Sequence, residues 1–229
     1  MTKLITVAGP PSSGKTSVII RLSEALQQQN MQVGVVKFDC LSTQDQELYR
    51  KKGIAARIGL SGNLCPDHFF VSNIQDCLDW AGRNHCDLLI SESAGLCNRC
   101  SPHIRGIMAV CVIDNLSGVN TPRKIGPMLK LADIVIITKG DIVSQAEREV
   151  FSFRVKQANP GAVIAQINGI TGQGAREISR LFQTASTVDS LADYQLRFSM
   201  PAATCSYCLG QTRIGDNFQM GNVRKMNLS

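Results

Sequence analysis

The chain has 229 residues, of which 44% are hydrophobic and 18% are charged, and its formal net charge is +6 at pH 7. This composition indicates one α/β domain with a buried core and a small appendix. No apolar run reaches the roughly 18 residues that span a bilayer, so no membrane association is expected. The positive charges are not gathered in a run, so no nucleic-acid partner is expected either.

The start of the chain and its cysteines suggest a cellular location. A predicted strand begins at Leu4, which leaves no room for a signal peptide, so a cytoplasmic location is expected. The nine cysteines are expected to be reduced there. Metal binding or redox chemistry is therefore favoured over structural disulfides.

Strands and helices alternate along the chain, which predicts a mostly parallel sheet flanked by helices, with ligands at the carboxyl edge of the strands. Short apolar runs predict strands at residues 4–8, 32–36, 86–92, 107–113, 134–137 and 162–167. Helical spacing of apolar residues predicts helices at residues 16–29, 45–58, 122–131 and 144–159, one that ends near Asn84, and a last one after residue 174.

A phosphate-binding motif follows the first strand. Residues 9–16, GPPSSGKT, match the P-loop pattern G-x-x-x-x-G-K-S/T between a predicted strand and a predicted helix. The glycines let backbone N–H groups turn around a phosphate, and the helix N-terminus adds partial positive charge. Lys15 is expected to reach the outer phosphates as a catalytic residue, and Thr16 to bind Mg²⁺. The motif predicts a nucleotide site formed by Gly9, Ser12, Ser13, Gly14, Lys15, Thr16 and Ser17.

Acidic residues near two strand ends are candidates for the Mg²⁺ shell and for positioning the attacking water. A P-loop enzyme commonly carries such groups on a mobile loop after an early strand. Asp39 is predicted as a catalytic residue and Mg²⁺ ligand, and Asp45 is a second candidate. The alternative for this loop is that Ser42 or Thr43 caps the following helix. Glu92 ends a later buried strand and is also predicted as a catalytic residue and Mg²⁺ ligand.

Cysteines beside these acids are candidate ligands of a transition metal or cluster. Cys65 and His68 combine a thiol with an imidazole, which together suit one metal ion. Cys97 and Cys100 form a C-x-x-C pair, which is a common half of a Cys₄ site that a symmetric dimer would complete. The alternatives are unliganded thiols or a redox disulfide. Cys77 and Cys86 are interpreted as packing residues.

A base-reading element follows the strand at residues 134–137. Thr138, Lys139 and Asp141 fit the N/T-K-x-D element of GTPases, in which the carboxylate accepts hydrogen bonds from N1 and the 2-amino group of guanine. Adenine lacks that 2-amino donor, so the acid favours guanine. Asn168 and Gly169, after the last predicted strand, are expected on the base side as well.

The pattern changes near Thr187, where the P-loop GTPase domain, residues 1–186, gives way to an extension, residues 187–229. The extension carries a second C-x-x-C pair, Cys205 and Cys208, also candidates for a transition metal or cluster. It is too small for its own core, so a metal staple or docking on the main domain is expected. A disordered tail with free thiols is the alternative.

In this order the motifs resemble those of the SIMIBI-class P-loop GTPases of the nickel-insertion type, the HypB and UreG accessory proteins of hydrogenase and urease. The resemblance spans about residues 3–185. Residues 39–45 are similar to the D-x-x-T-x-E-D loop of the urease relatives. Cys65–His68 resembles their Cys-Pro-His element with the histidine one place later, and residues 92–95 resemble their E-S-G-G.

The hydrogenase relatives follow their glutamate with a Cys-Pro pair near a dimer-interface metal site, and residues 97–102 here resemble it with one thiol more. Pro10 stands where related ATPases carry a signature lysine, which favours GTP over ATP. The chain has no histidine-rich stretch, so nickel storage is not indicated. The resemblance implies a homodimeric GTPase that binds GTP, Mg²⁺ and zinc or nickel, and that delivers a metal or metallocofactor to a client metalloenzyme or accessory protein.

Three other functions remain open at this point. The cysteine pairs would suit an iron–sulfur protein for electron transfer or sensing with nucleotide as regulator. A small-molecule kinase would tolerate ATP, which the element at residues 138–141 opposes. An adapter in molybdenum-cofactor nucleotide synthesis is suggested by the glycine-lysine opening alone, and the later motifs fit it poorly.

Overall fold

The computed structural model describes residues 1–198, 211–218 and 223–228. The strands are β1 (Thr2–Ala8), β2 (Val33–Asp39), β3 (Ala55–Leu60), β4 (Leu88–Ser93), β5 (Met108–Asp114), β6 (Ile134–Thr138), β7 (Val163–Gln166) and β8 (Thr187–Val188). The helices are α1 (Lys15–Gln27), α2 (Asp45–Lys51), α3 (Pro66–Arg83), α4 (Thr121–Lys124), α5 (Pro127–Lys130), α6 (Gln145–Ala158) and α7 (Ala175–Phe182).

These strands form one eight-stranded sheet in the order β3-β2-β4-β1-β5-β6-β7, and β8 adds to the start of β1. Every pair along this order is parallel, and only β8 runs antiparallel to its neighbour. The predicted mostly parallel sheet flanked by helices is therefore confirmed. Since parallel strands end at the same edge, the P-loop after β1 and the loops after β2, β4 and β6 lie together.

The alternation of side chains along β1 shows how the sheet is covered on both faces. Leu4 packs with α3, whereas Ile5 and Val7 pack with α1 and α7. A third apolar cluster joins β5 and β6 to α5 and α6. Cys77 and Cys86 are buried in the cluster on the α3 side, so their predicted packing role is confirmed.

One predicted helix is wrong in its second half. The sequence predicted a helix over residues 45–58, but α2 ends at Lys51 and the chain then enters β3, which pairs with β2. Gly53 has φ +66°, the left-handed conformation that ends helices and suits glycine. Backbone pairing along the free edge of β2 then outweighs the weak helical spacing of the following apolar residues.

A second predicted helix, over residues 122–131, is divided into α4 and α5. Gly126 separates them with φ +65°, and a Cβ there would lie 2.5 Å from the Asn98 carbonyl oxygen. Pro127 then begins α5, a position that favours proline. The break lets the loop with the first C-x-x-C pair approach this turn.

The described parts of the C-terminal extension dock on α3. Asn73 donates to the Arg224 carbonyl at 2.9 Å and accepts from the Met226 N–H at 2.8 Å. Leu191 and Ile214 join the same apolar cluster as α3. These described segments therefore lie against α3, and the role of the extension stays a prediction. The boundary between residues 186 and 187 stays a prediction.

A buried histidine predicts how the stability of this fold depends on pH. His103 is fully buried between the Thr6 hydroxyl, 3.0 Å from Nδ1, and the Met128 carbonyl, 2.9 Å from Nε2. The carbonyl can only accept, so Nε2 carries the proton and Nδ1 accepts from Thr6. Burial lowers the pKa of His103 to about 4. As the pH falls, His103 is therefore protonated in the unfolded chain before it is protonated in the folded protein. The folded state consequently loses stability between about pH 6.5 and pH 4.

In the wild-type protein, protonation of His103 is expected to lower the free energy of unfolding by about 3 kcal/mol as the pH falls. We expect His103→Gln to remove this loss. Urea unfolding at pH 7 and pH 4.5 measures it. Burial raises the pKa of Asp67 to about 6, which acts in the opposite direction. Asp67 is present in both proteins, so the difference between the two pH slopes isolates His103. Identical slopes for the two proteins would show that His103 is not the group responsible.

Candidate functional site

The P-loop wraps the start of α1 at the carboxyl edge of the sheet. Gly14 precedes the helix with φ +90°, and Ser12 also has positive φ, at +60°. Backbone turns of this kind can present N–H groups to a concavity, which suits an anion. The cavity above it has a volume of about 370 Å³. It is lined by Pro11, Ser12, Gly14, Lys15, Thr16, Ser17, Lys37, Asp39, Asp45, Glu92, Ala94 and Leu96.

Two glycines let the P-loop fit between its neighbours. A Cβ on Gly9 would lie 2.0 Å from the Val112 carbonyl oxygen of β5. A Cβ on Gly95, which has φ +70°, would lie 1.7 Å from the Gly9 carbonyl oxygen. The backbone after β4 therefore packs directly on the first turn of the P-loop, and neither position tolerates a side chain.

Lys15 is folded back on the loop that precedes it. Its Nζ donates to the carbonyl oxygens of Gly9, at 3.0 Å, and Pro10, at 2.8 Å. Burial lowers the pKa of Lys15, partly offset by the charge of Glu92. Phosphate oxygens entering the cavity would offer this ammonium stronger acceptors than the two carbonyls.

The predicted Mg²⁺ ligands lie together. Thr16 Oγ1 is 2.9 Å from Glu92 Oε1 and 3.1 Å from Asp45 Oδ2. Asp39 Oδ1 accepts from the Cys40 N–H, and its second oxygen lies 3.6 Å from Lys37 Nζ. These four residues are hard oxygen donors on four different elements, which fits Mg²⁺ when phosphates supply further ligands. The ligand and catalytic roles of Thr16, Asp39 and Glu92 stay predictions.

Glu92 is the most enclosed member of this group. It is 1% exposed, and its Oε2 accepts from the Tyr49 hydroxyl at 2.7 Å. Tyr49 itself is fully buried, and burial together with the charge of Glu92 raises its pKa well above the ordinary value. Tyr49 therefore remains a hydrogen-bond donor that fixes the orientation of the carboxylate.

The predicted base-reading element contacts the P-loop directly. Thr138 Oγ1 donates to the Ser13 carbonyl at 2.6 Å, and Lys139 Nζ donates to the Ser12 carbonyl at 2.8 Å. Lys139 has φ +57° and lies 3.6 Å from Asp114, which places its stem across the top of the loop. The element and the phosphate cavity are thus held in one rigid arrangement.

A second cavity of about 330 Å³ lies beside this element on the same edge of the sheet. Asp141 and Asn168 both line it, and their roles in binding the base stay predictions. Gly169 packs on α1, where an added Cβ would lie 3.0 Å from Ser17 Cβ. The other residues that line this second cavity are Ile137, Gly140, Arg148, Gln166, Ile167, Gln173, Gly174 and Glu177.

Three cysteines converge beyond the end of β4. Cys97, Cys65 and Asp67 all lie near enough to act on the Cys100 thiol electrostatically. Burial, and then Asp67, Cys97 and Cys65, raise the pKa of the Cys100 thiol. Ser93 Oγ donates to Asp67 Oδ1 at 3.0 Å, so the residue after Glu92 contacts the start of α3.

None of the seven described cysteines forms a disulfide with another of them. Within residues 1–198, 211–218 and 223–228, no three or more His, Cys, Asp or Glu side chains are arranged to hold a metal ion as they stand. The transition-metal roles of Cys65, Cys97 and Cys100 stay predictions. Cys205 and Cys208 lie outside the described residues.

Sequence reasoning missed three residues of the site. Lys37 contacts the carboxylates, Tyr49 orients Glu92, and Gly95 permits the close approach of the P-loop. A lysine within an otherwise apolar strand was the available signal for Lys37, because a buried charge requires partners. The role of Tyr49 carries no local signal, since only the fold brings α2 to β4.

The sheet order, the P-loop and the cavity at the carboxyl edge define a P-loop nucleotide-binding protein. Residues 3–166 match the family described as CobW/HypB/UreG, nucleotide-binding domain. The chain belongs to this family, which confirms the predicted resemblance. Among the described residues, no helix is long and apolar enough to cross a membrane.

One relative of known sequence spans nearly the whole chain, and another spans about four fifths of it. A protein of Methanocaldococcus jannaschii described as uncharacterized is 45% identical over 225 residues, which cover 98% of this chain and 96% of the relative. The urease accessory protein UreG of Trichodesmium erythraeum is 30% identical over 208 residues, which cover 81% of this chain and 95% of the relative.

Solved structures share the fold at lower identity. HypB from Helicobacter pylori in complex with nickel has a TM-score of 0.64 and 20% identity, covering 82% of this chain and 91% of that one. The hydrogenase maturation factor HypB from Archaeoglobus fulgidus has a TM-score of 0.60 and 23% identity, covering 80% of this chain and 89% of that one.

The contact between Gly95 and Gly9 predicts a strong effect of a small substitution. Gly95→Ala places a Cβ against the Gly9 carbonyl oxygen and is strained at positive φ, so the P-loop must shift. We expect guanine-nucleotide affinity to fall by more than about tenfold, since phosphate binding depends on the aligned N–H groups. Titration with a fluorescent guanine nucleotide measures the loss. Gly82→Ala is the matched control, because a Cβ there meets nothing within 4 Å. Equal affinities for the two variants would contradict the prediction.

Proposed function

We propose that the protein binds GTP with Mg²⁺, hydrolyses it, and couples the nucleotide state to delivery of a metal or metallocofactor to a client metalloenzyme. One observation supports this most directly. The residue after Glu92 contacts the cysteine-bearing region, through the hydrogen bond from Ser93 to Asp67. The end of β4 therefore contacts the phosphate cavity through Glu92 and the cysteine-bearing region through Ser93.

The phosphate cavity supports the first half of the proposal. Lys15 and the turned N–H groups after Gly9 and Gly14 would hold the phosphates, and Thr16, Asp39 and Glu92 would hold Mg²⁺, which neutralises developing charge on the phosphates when bound. The buried Glu92 carboxylate, oriented by Tyr49, is the group best placed to position an attacking water.

Guanine selection is the most specific part of the proposal. Asp141 lines the second cavity, where its carboxylate would accept from N1 and the 2-amino group of guanine. Lys139, held by the Ser12 carbonyl, would cover the ring. Thr138 ties this element to the loop that carries the phosphates.

We expect Asp141→Asn to weaken GTP binding by at least about 100-fold, because the negative charge is lost and the asparagine N–H₂ group would face the 2-amino donor of guanine. The asparagine N–H₂ group can instead donate to the carbonyl at position 2 of xanthine, so the variant should gain affinity for xanthosine triphosphate. Competition titrations with the two nucleotides measure the change. Glu177→Gln is the control, since it removes a carboxylate from the same cavity. Unchanged GTP binding by Asp141→Asn would contradict the proposal.

The thiols support the second half of the proposal. Cys97 and Cys100 follow Glu92 within one loop. The carbonyl group of Asn98 in that loop packs closely against Gly126. Cys65 joins them from the start of α3. Two copies of the chain would bring six thiols near a two-fold axis, so a homodimer is part of the proposal. Zinc or nickel suits such thiolate ligands.

We expect metal affinity to differ between the GDP state and a non-hydrolysable GTP analogue, because Glu92 and the thiol loop share one strand end. Titration of Zn²⁺ and Ni²⁺ under anaerobic conditions, in each nucleotide state, measures the difference. A shared site predicts about half an ion per chain. Cys97→Ser should abolish the binding and Cys40→Ser should leave it unchanged, since Cys40 lies in the loop after β2 instead. Equal metal affinities in the two states would refute the coupling.

The convergence of three thiols also favours a second candidate, an iron–sulfur protein regulated by nucleotide. Iron and sulfide content after purification without oxygen decides between the two. Matching iron and sulfide would support the cluster, and zinc or nickel without sulfide would support the metallochaperone.

A further inference from the structure

Lys37 is an unusual side chain for its position. It lies in β2 between Val36 and Phe38, both fully buried, and its own side chain is 9% exposed. A charge with so little contact with water needs partners of opposite sign. Each of its partners belongs to the cavity at the carboxyl edge of the sheet.

The Lys37 ammonium lies among the groups predicted to hold Mg²⁺. It forms a direct ion pair with Asp45 and lies 3.3 Å from Glu92 Oε1 and 3.6 Å from Asp39 Oδ2. Thr16 Oγ1 is 3.5 Å away. Three carboxylates and the P-loop hydroxyl thus converge on one cation that the chain itself supplies.

The charge on Lys37 is held firmly. Burial alone would lower its pKa, but Glu92, Asp45 and Asp39 outweigh burial, and the pKa is raised above its ordinary value. Burial raises the pKa of Asp45, but the hydrogen bond from Lys37 outweighs it, and that pKa is lowered. The pair is therefore charged on both sides at neutral pH.

We propose that Lys37 is a resident cation of the nucleotide site, which holds the predicted Mg²⁺-binding carboxylates together in the absence of nucleotide and must leave them when Mg²⁺ binds. Loading the site is then an exchange of one cation for another. This inference rests on the proposed Mg²⁺–nucleotide binding for its consequences, but the exchange itself concerns only Mg²⁺ and the carboxylates.

Two physical arguments support the exchange. Mg²⁺ at Thr16, Asp39 and Glu92 would lie within a few ångströms of the ammonium, and two cations at that separation repel each other strongly. The ammonium also has somewhere to go, because Lys37 lines the phosphate cavity and phosphate oxygens would accept its hydrogen bonds. Nucleotide therefore favours Mg²⁺ binding by giving Lys37 new partners, and by linkage Mg²⁺ favours nucleotide.

The exchange would also move a segment of the chain. Asp45 begins α2, and its contacts with Lys37 and Thr16 hold the loop after β2 against the P-loop. When Lys37 leaves, Asp45 loses its strongest partner, whereas Glu92 keeps its hydrogen bond from Tyr49. The loop at residues 40–44 is therefore the part released, and the buried end of β4 stays fixed.

The first test measures Mg²⁺ alone, without nucleotide, by isothermal titration calorimetry. Lys37→Met keeps the length of the side chain and removes its charge, so it should bind Mg²⁺ at least about tenfold more tightly than the wild-type protein. Lys52→Met is the control for loss of one positive charge, since Lys52 pairs with Glu24 outside the cavity. Equal Mg²⁺ affinity of Lys37→Met and the wild-type protein would overturn the proposal.

A second test uses the wild-type chain, because Lys37→Met leaves three carboxylates without their counterion, which destabilises the fold. In protein labelled with ¹³C at lysine Cε, the Lys37 resonance is assigned by its absence from Lys37→Arg. It should shift when Mg²⁺ and a GTP analogue are added together. A resonance that stays in place while a fluorescent nucleotide binds normally would overturn the Lys37 proposal and leave the GTPase proposal intact. Failure of the nucleotide to bind would refute the GTPase proposal, and the Mg²⁺ titrations would still decide the role of Lys37.

Discussion

The structure depends on how one buried carboxylate is compensated. Glu92 is almost completely removed from water, and a lone carboxylate in that position would be strongly destabilising. Lys37, Thr16 and Tyr49 compensate it, and they come from β2, α1 and α2. The same contacts bring the first turn of α1 and the start of α2 to the end of β4, which is how the chain assembles its cavity.

The P-loop is held from two further sides. Thr138 and Lys139 bind its carbonyls from the base side, and Gly95 packs on Gly9 from the side of β4. A shift of the P-loop would therefore disturb both the base-reading element at Thr138 and Lys139 and the backbone after β4 at Gly95. The hydrogen bond from Ser93 to Asp67 continues this chain of contacts towards the cysteines, which gives the proposed coupling a physical route.

Local signals predicted the elements wherever the pattern was long and its ends were marked. The P-loop between β1 and α1 is such a case, and α6 is another, since Ser144 and Glu147 form a capping box at its start. The prediction failed over residues 45–58, where a strand follows a helix of only two turns. The ending signal at Gly53 was present, but the pairing of β3 with β2 is non-local and could not be seen in the chain.

The sequence by itself determined the family, the P-loop and the element at residues 138–141, because each is a run of neighbouring residues whose chemistry depends on spacing along the chain. Only the tertiary structure decided that Lys37 lies among the carboxylates, that Tyr49 orients Glu92, and that Cys65 lies near Cys100. These contacts join residues dozens of positions apart. They exist because the strand order places β2, β4 and β1 side by side, with their ends at one edge.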